Sequence, residues 1–525
     1  MADNKGFAKA IVVITTISAS IMELIDTSIV NVALADISGT LGATIEDAAW
    51  VVTAYAVANV IIIPMTGFLA RFFGRKNYYI TSIIIFTIAS FFCGHSDNLW
   101  LLVFWRFIQG IGGGALLSTS QSILFDNFEP SKRAMASGMF GMGIVLGPAI
   151  GPTLGGLIVE NYSWPLIFDI NIPFGIAATL LASRFIEKKP EEQNIDRSKF
   201  NIDYTGIALL AIGIGSLQFV LERGETDDWY SSDYIIIFTV TAFFGIVGFI
   251  WRELTTESPI IDLRVLKSSN LIASNLLTFV VGFGLFGSVF IFPVMVQSVM
   301  GYSPTEAGFS LVPGALVSLL IMPIIGRTLG KIVPPLVYVI IGFACFILHG
   351  YTSSQATMES SRAWFIIPQI FRGIGTACLT VPLINQAVVG LTPQQMPYGI
   401  SLTNMLRQLG GAFGIATMNT YITQRYSVHR SDLVSNLQMN DSQMLERLNS
   451  LQQMGISKGY DQYTATTFGY KMLDMTITQQ AYLQSYLDGF KVISLFFLFS
   501  IPLMFLLRTQ KIDAATQAKL SEEAH

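Results

Sequence analysis

Arg106 stands in the run WRFIQGIGGG (105–114), which otherwise reads as membrane, and Gly110, Gly112, Gly113 and Gly114 follow it. A charge in hydrocarbon costs roughly 3 kcal/mol or more, so the guanidinium must face a partner, a cavity or both. Carboxylates at matching depth are Asp26 in LIDTSIVNVAL (24–34) and Asp169 in WPLIFDINIP (164–173), with Glu23 one turn below Asp26. Arginine keeps its proton, whereas a carboxylate stays charged only while something stabilises the charge. A conformational change that parts the pair would let the acid take up a proton from one side. Asp26, Arg106, Glu23 and Asp169 are therefore the candidate proton-coupling set. The plainer alternative is a static ion pair that fixes helix packing.

A second set is polar or aromatic at mid-depth: Asn31, Tyr55, Asn59, Gln121, Phe286, Gln297, Asn385, Gln386, Asn404 and Gln408, with the cations Arg372 and Arg407. These are candidates for a substrate wall, and any one of them could instead be an ordinary interhelical hydrogen bond. Two arginines with few acids nearby hint at anionic or weakly acidic substrates, while Glu23 and Asp26 keep cations open. No metal site is expected: Cys93, Cys345 and Cys378 are unclustered and the four histidines are scattered. His95 and His349 fall where helices meet the lipid–water boundary. No cofactor is expected either. GRTLGK (326–331) has glycine spacing one residue short of an ATP-binding loop, and Ile332 replaces its Ser/Thr. Energy must come from an ion gradient or from the substrate's own.

The elements that hold these residues are membrane spans. Of 525 residues 52% are hydrophobic and 13% charged, about half the ~25% of soluble domains. A net charge of −4 leaves no basic footprint for nucleic acid. Apolar runs near the ~20 residues that cross a bilayer recur throughout. Fourteen are expected, at 9–34, 48–70, 77–95, 99–124, 134–160, 163–186, 203–222, 233–252, 270–298, 305–327, 333–352, 363–389, 397–421 and 489–507. The first resembles a signal peptide only superficially: it is too long and holds Glu23 and Asp26, so it reads as a retained helix. Lysine and arginine crowd the even-numbered loops and both tails, among them Lys5, Lys9, Arg71, Arg75, Lys76, Lys132, Arg133, Lys189, Arg197, Lys199, Arg264, Arg327, Lys331, Arg508, Lys511 and Lys519. The short odd-numbered loops hold Arg223 and Arg362. Both termini are thus expected in the cytoplasm. The long loop 422–488 lies outside, where SDLVSNLQMNDSQMLERLNSLQQM predicts external helices, as a packed ornament or a partner's docking surface.

The opening run has a second copy. Shifted by 263, RFIQGIGGG (106–114) lies over QIFRGIGTA (369–377), and the register continues without a gap to LGPAIG (146–151) over LGGAFG (409–414). The offset spans eight helices, an even number, so the copies are parallel repeats, and a substrate site is expected at their interface. The expected organisation is a six-helix bundle at 1–186, linkers with two extra helices at 187–269, a second bundle at 270–421, the external loop at 422–488, and a last span and tail at 489–525. Gly110 and the ridge Gly143, Gly147, Gly151 and Gly155 permit close helix approach, and Pro148 and Pro152 bend the fifth helix. Together they suit a hinge; tight static packing is the alternative.

These stretches resemble the major facilitator superfamily, in particular its fourteen-helix drug:proton antiporters of the EmrB/QacA type. The resemblance rests on LIDTSIVNVAL, GFLARFFGRK (67–76), RFIQG, GPAIGPTLGG (147–156), WPLIFDINIP, PIIDLRVL (259–266) and QAYLQSYLDGF (480–490). It implies an all-α polytopic membrane protein with the major facilitator fold, two six-helix bundles plus two central helices and cytoplasmic termini. It also implies export of hydrophobic or amphiphilic compounds across the cytoplasmic membrane in exchange for protons, with Asp26 and Arg106 matching the family's helix-one acid and helix-four arginine. A periplasmic adaptor and an outer-membrane channel are the partners implied. The loop motif departs from the family: Gly67, Gly74 and Arg75 stand as expected for the cytoplasmic gate, but Arg71 replaces an aspartate and Phe72 an arginine. The other readings are a metabolite symporter or facilitator on the same fold, and a membrane receptor or channel that transports nothing.

Overall fold

A computed structural model describes residues 2–129, 132–188, 202–437 and 442–507. The basic residues Lys189, Arg197 and Lys199 of the first linker, and Arg508, Lys511 and Lys519 of the tail, lie outside the described residues. Among the described residues the chain is helical and holds no strand. The first bundle is built from α1 (Ala2–Leu41), the single turn α2 (Ile45–Ala48), α3 (Trp50–Phe73), α4 (Arg75–Gly94), α5 (Leu99–Asp126), α6 (Arg133–Asn161), the turn α7 (Leu166–Asp169) and α8 (Asn171–Phe185). The pair α9 (Tyr204–Arg223) and α10 (Asp233–Thr255) follows. The second bundle comprises α11 (Ser269–Ser298), α12 (Pro304–Thr328), α13 (Pro335–Ser353), α14 (Ile366–Gln386), α15 (Met396–Ser435), α16 (Ser442–Ser457), α17 (Gln462–Phe499) and the turn α18 (Ile501–Met504).

Helix ends follow local chemistry. The Asn98 side chain caps α5 by accepting from Leu101 N–H. Ser303 and Glu306 form a capping box on α12, with Pro304 in its first turn. Gly74, at φ +81°, separates α3 from α4 without a linker; few residues other than glycine adopt that angle.

Twelve helical segments among the described residues are long and apolar enough to cross a membrane, which makes the chain a multi-pass membrane protein. They correspond to the first twelve expected spans. The expected thirteenth and fourteenth lie in α15 and α17, which are too polar over their length to meet the same measure. These helices have 40 and 38 residues. At 1.5 Å per residue each is roughly 60 Å long, about twice the hydrocarbon thickness. The region 422–488 is therefore mostly extension of these two helices, with α16 packed on α17. Salt bridges Arg425–Asp488 (3.0 Å) and Arg430–Asp474 (2.7 Å) and the stacked rings of Tyr426 and Tyr482 zip the extensions together.

The repeat is visible in the packing. α1 lies on α6 as α11 lies on α15, and α3 on α5 as α12 on α14. Glycines 263 residues apart have equivalent neighbours. A Cβ on Gly112 would sit 2.7 Å from the Phe86 backbone, and one on Gly375 would sit 2.7 Å from the Phe346 ring. The bundles meet along α6–α12 and α3–α15. At the end carrying the basic loops, one hydrophobic cluster spans both: Met65, Phe68 and Phe125 of the first, Leu271, Tyr398 and Leu402 of the second, and Ile260 and Ile261 of the connection between them. That end of the seam is sealed.

Gly112→Leu is expected to overpack α5 against α4, costing about 1–3 kcal/mol. Gly39→Ala, an exposed helical position where a Cβ meets nothing within 4 Å, should stabilise the protein by up to about 1 kcal/mol. Thermal melting of the two variants in detergent checks this.

Candidate coupling and transport site

The Arg106 side chain is 1% exposed and Asp26 is fully buried. Arg106 Nη1 donates to Asp26 Oδ2 at 2.6 Å and to Gln109 Oε1 at 2.8 Å, and its Nε donates to the Val51 carbonyl at 3.2 Å. The other oxygen of Asp26 accepts from Gln109 Nε2 at 2.9 Å and from Asn171 Nδ2 at 2.8 Å. Both amides also reach Ser90 Oγ at 3.1 Å, and Ser90 donates to the Phe168 carbonyl. The Tyr55 ring lies under the guanidinium, 4.2 Å from its centroid. Five helices of the first bundle thus supply the charge pair with donors, acceptors and a π face. A pair taken out of water is tolerated only with such saturation.

Glu23, also buried, is not saturated. Its Oε1 accepts from Asn59 at 3.0 Å and from Tyr55 Oη at 3.4 Å, while Oε2 has no hydrogen-bond partner. The charges acting on it are Asp26 on its own helix and Arg407 of α15. Arg407 is 6% exposed, and its Nε has no partner. One turn earlier, Asn404 donates to Ser118 and Gln121 of α5, each at 3.1 Å, so this face of α15 meets the first bundle. The structure brings Tyr55 and Asn59 together around Glu23, with the Arg407 charge acting on it from α15, and it joins Gln121 to Asn404.

Other expected residues lie elsewhere. Asp169, on the short α7, is not beside Arg106. Its side chain is 29% exposed and sits 3.9 Å from the half-exposed His95. The sixth span is broken before Asn171, and Asn171 fills the place at Asp26 instead. Arg372 donates to Gln369 Oε1 at 2.7 Å and to the Leu311 carbonyl at 3.4 Å, beside a small cavity shared with Pro148. Asn31 is exposed, and Asn385, Gln408, Phe286 and Gln297 are half-buried. His349, expected at the lipid boundary, is fully buried, with Nδ1 2.9 Å from the Pro368 carbonyl.

The glycine ridge of α6 faces α1, not the seam. Built Cβ atoms on Gly143, Gly147, Gly151 and Gly155 meet Ile21, Leu24, Ser28 and Ile29. A four-residue spacing marks one helix face but not which neighbour it meets. The seam uses the opposite face, where Gly138 meets Met322 of α12 and Gly156 meets Thr305. At the gate, Arg71 donates to Tyr398 Oη at 3.0 Å and Gly67 lies against the Tyr398 ring, while Arg75 pairs with Asp126 inside the first bundle. Tyr398, Gln109, Ser90 and Asn171 were absent from the expected set. Gln109 and Asn171 had a visible signal, being amides inside apolar runs; Tyr398 had none.

With that geometry in place, the sequence profile described as "Major Facilitator Superfamily" matches residues 16–415. The chain belongs to that superfamily. The "Multidrug export protein EmrB" of Escherichia coli (strain K12) is 38% identical over 443 residues, covering 83% of this chain and 85% of that protein. The "Fatty acid resistance protein FarB" of Neisseria gonorrhoeae is 33% identical over 503 residues and 96% of each chain. Among solved structures, that of the human organic anion transporter MFSD10 covers 95% of this chain and 99% of its own, with a TM-score of 0.59 and 15% identity. At that identity the likeness concerns the fold.

Asp26→Asn and Arg106→Gln are each expected to destabilise the protein by about 3–5 kcal/mol, because each strands a buried charge or donor. The double variant should be less damaged than the sum of the two. Thermal unfolding of the three variants in detergent measures the difference; strict additivity would mean that the pair is not coupled.

Proposed function

We propose that this chain is a proton-driven exporter of hydrophobic and amphiphilic compounds that works by alternating access between its two bundles. Its relatives are named for multidrug export and fatty acid resistance, which supports export of such compounds by this chain. The observation that carries proton coupling is a buried carboxyl with an unpartnered oxygen, Glu23, one turn from the buried Asp26–Arg106 pair and under the influence of the Arg407 charge of the other bundle. Asp169 is a peripheral member of this group. Tyr55, Asn59, Gln121, Asn404 and Arg407 line the proposed substrate path, with Asn31, Arg372, Asn385 and Gln408 further along it.

In this reading α15 and α17 cross the bilayer as well, which makes fourteen crossings. The basic loops face the cytoplasm together with both termini, and the membrane is the cytoplasmic one. The functional units are 1–186, 187–269, 270–421, 422–488 and 489–525. Gly67, Arg71, Gly74 and Arg75, with Tyr398, form the cytoplasmic gate. The glycines and prolines of α6, with Gly110, serve close packing that lets each bundle rock as one body. The proton gradient supplies the energy, with no cofactor.

Reconstituted vesicles under an imposed pH gradient test the reading. Adding a substrate drug is expected to drive proton movement that a protonophore abolishes. Drug movement with no proton response would make the protein a facilitator instead.

The extensions of α15 and α17, with α16, are the proposed seat of an adaptor that continues the path outward. Deleting 436–461 is expected to abolish capture of a co-expressed adaptor while leaving vesicle transport intact. Undiminished capture would remove the extensions from that role.

A further inference from the structure

Asp26 and Glu23 lie one turn apart on α1 in opposite electrostatic situations. Asp26 accepts from three donors on Arg106, Gln109 and Asn171, and all of them belong to the first bundle. A rocking motion between bundles carries the whole network along and changes none of its distances. Protonating Asp26 would also leave Arg106 as a buried cation without a counterion, at a cost of several kcal/mol.

Glu23 differs on each count. Its Oε2 has no donor, and a cation that acts on it electrostatically, Arg407, is carried by the other bundle. Asn404 already holds that face of α15 against α5, and residues three apart share a helix face, so Arg407 points along the same side. The two side chains have complementary buried vacancies, an acceptor at Glu23 Oε2 and a donor at Arg407 Nε. The remaining groups facing Glu23 are Asp26 on α1 and Tyr55 and Asn59 on α3, and these move with it. Arg407 is the charged group that acts on Glu23 from across the seam, so their separation changes when the bundles rock.

We propose that Glu23 rather than Asp26 is the seat of the coupling proton, and that Arg407 is the positioning residue whose approach displaces that proton. With the seam open to the outer side, a solvent proton bonds to Oε2 and the carboxyl is neutral. When the bundles rock, the guanidinium closes on Oε2. The O–H bond breaks, its electron pair stays on the oxygen, and the proton passes to solvent water on the inner side. The Arg407 charge then balances the carboxylate. The Asp26–Arg106 network, held entirely within the first bundle, supplies the rigid floor.

This inference rests on the proton-driven reading above, and the test separates the two. Wild-type, Glu23→Gln, Arg407→Gln and Arg407→Lys proteins are reconstituted and drug-driven proton movement is followed across pH. In parallel, the full-length proteins are treated with dicyclohexylcarbodiimide, which modifies protonated carboxyls in apolar settings, and mapped by mass spectrometry. Glu23→Gln is expected to lose proton movement while still exchanging labelled for unlabelled drug. Arg407→Gln should move the half-maximal pH of proton release upward by roughly one unit or more, and Arg407→Lys should restore it in part. Carbodiimide should label Glu23 and not Asp26, and saturating drug should slow the labelling. If the wild type moves no protons with drug, the proton-driven reading itself falls. If the wild type couples but Glu23→Gln still does, or if Asp26 is the labelled acid, the assignment to Glu23 is overturned while proton coupling stands. A pH profile of Arg407→Gln identical to wild type removes Arg407 from the mechanism.

Discussion

The constraint on which the first bundle depends is the cost of holding Arg106 and Asp26 where water cannot solvate them. Coulomb attraction alone does not repay the desolvation of both ions; the remaining lone pairs and N–H groups must be satisfied as well. This accounts for features that otherwise look unrelated. Gln109 bridges acid and base. Ser90 stands where two amides need a common acceptor, and the break in the sixth span delivers Asn171 to the second carboxylate oxygen. The small residue at Gly110 lets α5 approach the Tyr55 backbone, so that the Tyr55 ring lies under the guanidinium. Five helices are thereby locked in register by one charge pair.

The repeat shows what happens when that pair is not retained. At the 263-residue offset, Arg106 and Gln109 become Gln369 and Arg372, so the two side chains exchange places. Arg372 leans on Gln369 and on the Leu311 carbonyl rather than on an acid. The glycine contacts between equivalent helices survive in both halves, which shows that backbone packing is the inherited part. The charge chemistry is concentrated in the first bundle, and the asymmetry gives the seam its polarity.

Much of the architecture was legible in the sequence because hydrophobic run length and the ungapped repeat are properties of the chain itself. The pairing of Arg106 with Asp26 followed from depth counted from the expected span ends at 34 and 99, although α1 runs on to Leu41. The same reasoning failed for Asp169, because depth along a helix does not register which face a residue occupies: Asp169 lies beside His95, whereas Ile167 and Phe168 just before it are fully buried. The ridge from Gly143 to Gly155 was legible as a smooth face, yet its neighbour is α1 within the same bundle, and periodicity carries no information about which helix lies opposite. His349 looked like a boundary residue because it is close to a span's end, but the Pro368 carbonyl draws it inward. The seam contacts Asn404–Gln121 and Arg71–Tyr398 join residues hundreds of positions apart, beyond the reach of spacing arguments.

The altered loop motif also follows from how the seam is closed. With Arg71 and Phe72 in place of the family's acid and base, a charge latch is not available at that position. The closure uses apolar and aromatic surface instead: Phe68 joins Tyr398 and Leu402 of the other bundle in one cluster, and Tyr398 lies over Gly67 with its hydroxyl on Arg71. Burial of this kind scales with area and is indifferent to ionic strength, whereas an exposed ion pair is screened within about 10 Å at 0.1 M salt. In the proposed cycle Glu23 and Arg407 lie on opposite sides of the seam, so a change in protonation at Glu23 would bias the relative position of the bundles without first loosening this apolar end.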